Sequence, residues 1–157
     1  MSSIAQLPKT GAGKRRPPSA PAMPFGLATL GDLSPLQRHD MVTLGVPVLN
    51  AKGFMDSFTE VTHDLVLKAV GISERTLQRG KTPDKRLDVN ASDRTLRLAT
   101  VLEQAVDVLG SRAEAEHWLV TPASGLDLRR PIELLQTSEG TELVKTLLVR
   151  MDYGVYA

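Results

Sequence analysis

The sequence has no cysteine. That absence excludes disulfides, thiol nucleophiles and cysteine-ligated zinc together, and small secreted domains more often carry disulfides. Aromatics are scarce, with one tryptophan and two tyrosines in 157 residues. No apolar run approaches the roughly 20 residues that span a bilayer, and Met1-Ser2-Ser3-Ile4 offers neither the charged nor the apolar region of a signal peptide. A cytoplasmic location is the expectation. Strand-like alternation of polar and apolar residues is also essentially absent, so the expected fold is all-α. What remains is ample for a core: 41% of the residues are hydrophobic, enough for one compact domain or two small ones.

Catalytic constellations are missing as well. Glu114-x-x-His117 has the spacing of helical di-iron sites, and Glu60-x-x-His63 has it too, but such sites also need two further glutamates on facing helices, and the sequence marks no such pair. His39 and His63 fall in separate helices with no nucleophile at a motif spacing. Gly11-Ala12-Gly13-Lys14 resembles part of a phosphate loop, yet Pro8 stands where the first glycine belongs and Arg15 where Ser or Thr belongs. No enzyme and no cofactor are expected.

The net charge of +1 conceals an uneven distribution. Residues 1–24 hold four bases (Lys9, Lys14, Arg15, Arg16), no acid and five prolines, a composition that reads as a disordered basic arm. Residues 98–157 hold five bases and nine acids. A basic front and an acidic back point to two partners, with nucleic acid the natural one for the front.

Helical signals begin at Ser34-Pro35, a cap followed by proline at the first helical position, and predict a helix over about 35–44 that Gly45 and Pro47 end. Phe58, Val61, Leu65 and Ala69 recur at helical spacing until Gly71, and Ser73 caps a short helix through Arg79 or Gly80. Ser92 is read as opening a long helix with Leu98, Val101, Leu102, Ala105, Val108 and Leu109 on its apolar face, closed by Gly110. Ser111 and Glu114 have capping-box spacing, and Trp118 on that helix is assigned to the core. Pro131 starts a short helix, and Ser138 is read as capping a last one with the stripe Leu143, Val144, Leu147, Leu148 and Met151.

The stretch from Val61 to Arg79 reads as a helix-turn-helix: a glycine turn, a buried Ile72 and a serine cap let two helices cross steeply. With Leu77 inward, Arg75 and Arg79 fall on the opposite face and Thr76 and Gln78 on its flanks. A recognition helix entering a major groove has this arrangement, since outward arginines can meet guanine O6/N7 or phosphate. Lys81, Lys85 and Arg86 follow in a loop suited to backbone phosphates. The candidate DNA-binding residues are therefore Ser73, Arg75, Thr76, Gln78, Arg79, Lys81, Lys85 and Arg86, and such motifs usually act as homodimers.

The spaced motifs Ser92-Asp93-Arg94, Glu116-His117-Trp118-Leu119, Thr121-Pro122, Arg130-Pro131-Ile132-Glu133-Leu134-Leu135, Thr137-Ser138-Glu139-Gly140 and Tyr153-Gly154-Val155-Tyr156-Ala157 closely resemble the toxin-binding domain of Xre/MbcA/ParS antitoxins. The segment before them resembles the Xre-type helix-turn-helix of that family, so the likeness covers about residues 35–157. The loop between Thr121-Pro122 and Pro131 departs from it, because the family tends to be glycine-rich where this chain has Gly125-Leu126-Asp127-Leu128-Arg129-Arg130. The resemblance implies a DNA-binding region over 25–91 and a toxin-binding domain over 92–157. It implies an antitoxin that blocks a RES-domain toxin, which destroys NAD, and that represses the shared operon as a homodimer. NAD would then belong to the partner. Arg150, Asp152, Tyr153, Gly154, Val155, Tyr156 and Ala157 are the candidate toxin-binding residues, because tyrosines at a helix end are rigid anchors with a polar tip. The alternative is a stand-alone transcription regulator whose C-terminal domain only oligomerises.

Overall fold

The computed structural model describes Leu30 and residues 32–154. The basic arm, with Lys9, Lys14, Arg15 and Arg16, and the terminal Val155, Tyr156 and Ala157 lie outside the described residues. Helices follow in the order α1 (Pro35–Leu44), α2 (Val48–Asp56), α3 (His63–Val70), α4 (Glu74–Arg79), α5 (Val89–Leu109), α6 (Arg112–Leu119), a 3-10 turn (Ser124–Leu126), α7 (Pro131–Leu134) and α8 (Ser138–Asp152). Among the described residues there is no strand, only isolated bridges at Pro47–Arg86 and Ala123–Arg129. The architecture is all-α, as expected.

Cap chemistry sets the starts. Ser34 and Gln37 form a reciprocal capping box at α1: the Ser34 hydroxyl accepts from the Gln37 amide at 3.2 Å and the Gln37 side chain accepts from the Ser34 amide at 2.8 Å. Two expected starts move by a few residues. Asp88, not Ser92, caps α5, its carboxylate accepting from the Ala91 amide at 2.7 Å. Ser92 sits inside the helix, fully buried, where its hydroxyl accepts from the Val46 amide at 2.9 Å. Thr137, not Ser138, caps α8 by accepting from the Gly140 amide at 3.0 Å. In both cases a side chain one turn from the amides it must satisfy wins over a later candidate.

Helix α2 has no counterpart in the sequence reading. Its buried residues Val48, Ala51, Phe54 and Met55 have helical spacing, but Pro47 before it and Gly53 within it read as loop. The converse holds next door. Phe58 and Val61, read as the start of a helix, belong to the connection ahead of α3, whose amides are engaged elsewhere.

Helix α5 is the centre of the molecule. It packs against α1, α3, α6 and α8 and buries Leu98, Val101, Leu102 and Ala105 completely. The expected division between residues 91 and 92 falls inside this unbroken helix. Five apolar assignments shift outward: Val108, Leu109 and Ile72 are only partly buried, Trp118 is half-buried rather than enclosed, and Leu143 is exposed. Leu143 lies about 90° from the centre of the Val144, Leu147, Leu148 and Met151 stripe, at the edge of a helix covered on one side only.

Candidate nucleic-acid and partner interfaces

The turn between α3 and α4 is made by Gly71, whose φ of 76° lies in the left-handed region and whose amide donates to the Leu67 carbonyl. Ser73 then caps α4, accepting from the Thr76 amide at 3.2 Å, and Leu77 anchors the helix with 1% exposure. The remaining α4 residues face outward. The guanidinium groups of Arg75 and Arg79 are exposed and make no ion pair or hydrogen bond with other described residues.

Not every expected DNA contact is equally free. Ser73 is occupied as a cap, and its hydroxyl also lies 3.2 Å from that of Thr76. The Gln78 amide donates to Glu74 at 3.0 Å, and the other Glu74 oxygen lies 2.7 Å from His63 Nε2. These bonds, that from Gln78 first, hold the Glu74 carboxyl below its usual range. Lys81 and Lys85 are exposed, whereas Arg86 donates one guanidinium N–H to the Gly45 carbonyl at 2.8 Å. The Lys85 carbonyl accepts from the Val48 amide and the Leu87 amide donates to Val46, so this loop is stitched to the segment before α2.

At the other end, α8 carries Arg150 and Asp152 on its exposed side. Tyr153 closes the helix with its amide donating to the Val149 carbonyl, while its side chain is 79% exposed. It does not fold back onto the core. Gly154 follows at φ 72° with its amide donating to the Met151 carbonyl. Beside this end, Trp118, Pro122, Ala123, Leu147 and Met151 line a cleft of about 250 Å³.

A polar cluster that the sequence reading missed joins the two halves. Glu116 is fully buried; one carboxylate oxygen accepts from the Thr59 and Glu60 amides at 2.9 and 2.7 Å, and the other accepts from Arg112 Nε at 2.7 Å. Arg112 also donates to the Ser57 hydroxyl at 2.7 Å and stacks over the Phe58 ring at 5.0 Å. The only signal in the sequence is an Arg112-x-x-x-Glu116 spacing, indistinguishable from a solvated surface pair. Glu114 and His117 are both exposed, and among the described residues no group of three or more His, Asp or Glu side chains is placed to hold a metal ion.

Fold and surfaces together define a helix-turn-helix protein with a helical C-terminal module built on the same long helix. A model of the antitoxin Xre-like helix-turn-helix domain matches residues 38–99, and one of the antitoxin Xre/MbcA/ParS C-terminal toxin-binding domain matches residues 104–154. The chain belongs to the Xre/MbcA/ParS antitoxin family. It is 38% identical over 93 residues to an Antitoxin Xre of Yersinia enterocolitica, a match covering 59% of this chain and 63% of that protein. It is 32% identical over 80 residues to an Antitoxin Xre of Pseudomonas putida, covering 51% and 50%. A Sphingobium protein named Prs ADP-ribosylating antitoxin is 27% identical over 158 residues, covering 95% of this chain and 98% of the relative.

Proposed function

We propose that this chain is the antitoxin of a type II toxin–antitoxin pair in the cytoplasm. Its C-terminal end, from Arg150 and Asp152 through Tyr153 and Gly154 to Val155, Tyr156 and Ala157, blocks the active site of a RES-type NAD-degrading toxin. Its α3–α4 unit represses the shared operon as a homodimer, with Arg75 and Arg79 reading bases and Lys81 and Lys85 holding phosphates. NAD is the toxin's substrate, and this chain binds no cofactor.

The observation that carries the reading is Tyr153, a large aromatic held 79% exposed at the last turn of α8 inside the stretch that matches the toxin-binding domain. An aromatic left in water costs apolar surface that a partner's pocket recovers. Co-expression with the toxin encoded by the neighbouring reading frame tests it. Growth and cellular NAD should both be preserved; a full-length chain that rescues neither overturns the proposal.

The name of the Sphingobium relative, matched over nearly all of both chains, favours a second reading of the toxin's chemistry. ADP-ribosyl transfer and NAD degradation both break the bond between nicotinamide and ribose. A labelled adenine carried by NAD separates them, because it becomes attached to protein only in the transfer reaction.

A further inference from the structure

We propose that Leu128, in the loop before α7 and outside residues 150–157, is a second anchor for the toxin and helps decide which toxin this antitoxin accepts. The inference rests on the antitoxin reading above. Among the described residues, Asp127 and Leu128 are the two non-glycine residues with positive φ, at 54° and 61°. An aspartate visits this region with a short side chain that can bond locally; a leucine gains nothing there, and its Cβ crowds the following carbonyl. The same Leu128 is 72% exposed. An exposed leucine alone is ordinary. An exposed leucine whose own backbone is held where leucine is disfavoured is not, and strain of this kind collects at ligand clamps and contact sites.

The loop is also built to hold that residue still. Its ends are tied by the Ala123 amide donating to the Arg129 carbonyl at 3.1 Å and the Leu128 amide donating to the Ala123 carbonyl at 2.9 Å, and the Arg129 amide closes onto Leu126 at 3.1 Å. Leu126, two residues earlier, is buried with 6% exposure, so the double left-handed turn sends one leucine inward and the other out. A loop whose backbone is already held has less to order on docking.

Position supplies the partner. Ala123, to which Leu128 is bonded, lines the cleft that Trp118 and Met151 share, and Met151 lies two residues before Tyr153 on α8. Leu128 is therefore bonded through its backbone to the wall of that cleft, within the matched toxin-binding stretch. The partner face it fits carries an apolar depression.

The test measures binding of the full-length chain to an inactivated form of the toxin encoded beside it, by calorimetry, with thermal melting in parallel. Leu128→Gly removes the side chain and suits the positive φ. It should weaken binding at least tenfold while leaving the melting temperature unchanged or raised. Leu128→Asn, which tolerates the left-handed conformation and is polar, should weaken binding similarly and decides the matter if the glycine variant fails to fold. Wild-type binding with either folded variant within twofold of it overturns Leu128 as an anchor and leaves the antitoxin reading intact. No binding by wild type overturns both. A variant that changes the self-association of the free chain in light scattering, with toxin affinity unaltered, assigns the surface to a second copy of this chain and overturns the proposal.

Discussion

Glu116 in α6 accepts a hydrogen bond from the backbone amide of Glu60 at 2.7 Å across 56 residues of sequence. The same carboxylate oxygen takes the Thr59 amide, and the Arg112 guanidinium neutralises the other side. The buried carboxylate is satisfied on both oxygens, the condition under which a buried charge is tolerated at all, while Arg112 keeps 29% of its side chain in water. It fixes the connection ahead of the helix-turn-helix onto the C-terminal module, so the two candidate interfaces are held at one geometry. Glu116→Ala removes the acceptor of two amides and the partner of Arg112, whose side chain is 29% exposed, so the loss is that of hydrogen bonds at a part-buried site, about 1–3 kcal/mol. The expected result is a melting temperature lower by on the order of 5 °C, read by circular dichroism.

The exposed face of α4 leads to a separable prediction. Arg75→Ala and Arg79→Ala remove exposed side chains that make no hydrogen bond or ion pair with other described residues, so folding should be little changed. If they read bases, each loses about 1–3 kcal/mol of operator affinity. Lys81→Ala and Lys85→Ala should instead weaken all sequences alike and reduce the salt dependence of binding. Arg86→Ala is expected to differ from both, because it also removes a bond to the Gly45 carbonyl and should lower stability. Electrophoretic mobility shifts at two salt concentrations, with melting curves, distinguish the three classes.

The helix-turn-helix was legible because its signals are local: Gly71 must turn, Ser73 must cap and Leu77 must point inward within nine residues. The outward set on α4 follows from Leu77 by helical geometry alone. What the sequence hid depends on contacts distant in the chain. Ser92 looks like a cap until Val46 is seen to donate to it, and Phe58 looks helical until Glu116 is seen to claim the amides beside it. Trp118 reads as core from its apolar neighbours, and it does pack against the core, but it also lines an open cleft, which no periodicity within an eight-residue helix reveals.

Tyr153 allows the interfaces to be separated from the other end. Tyr153→Ala removes a side chain that is 79% exposed, so stability should change by less than about 1 kcal/mol, and it is the folded counterpart of a deletion of residues 153–157. Toxin neutralisation should be lost while operator binding stays at the wild-type level. A truncated chain that preserves cellular NAD as well as wild type does would refute the inhibitory role of this end.

Two glycines inside helices carry opposite expectations. Helix propensity alone favours alanine over glycine at an interior position by about 0.5–1 kcal/mol. At Gly53, in α2, an added Cβ meets nothing within 4 Å, so Gly53→Ala should raise stability by about that amount. Gly140, in the first turn of α8, is different: a Cβ there would fall 2.1 Å from the Leu134 carbonyl oxygen and 2.9 Å from the Thr137 hydroxyl. The backbone of α7 cannot yield as a flexible side chain would, and overpacking costs about 1–3 kcal/mol. The clash therefore exceeds the propensity gain, and Gly140→Ala should lower stability while disturbing the Thr137 cap on which α8 and Tyr153 depend. Chemical denaturation of the two variants side by side should give midpoint shifts of opposite sign; a stabilised Gly140→Ala would mean that α7 and α8 do not pack this closely in solution.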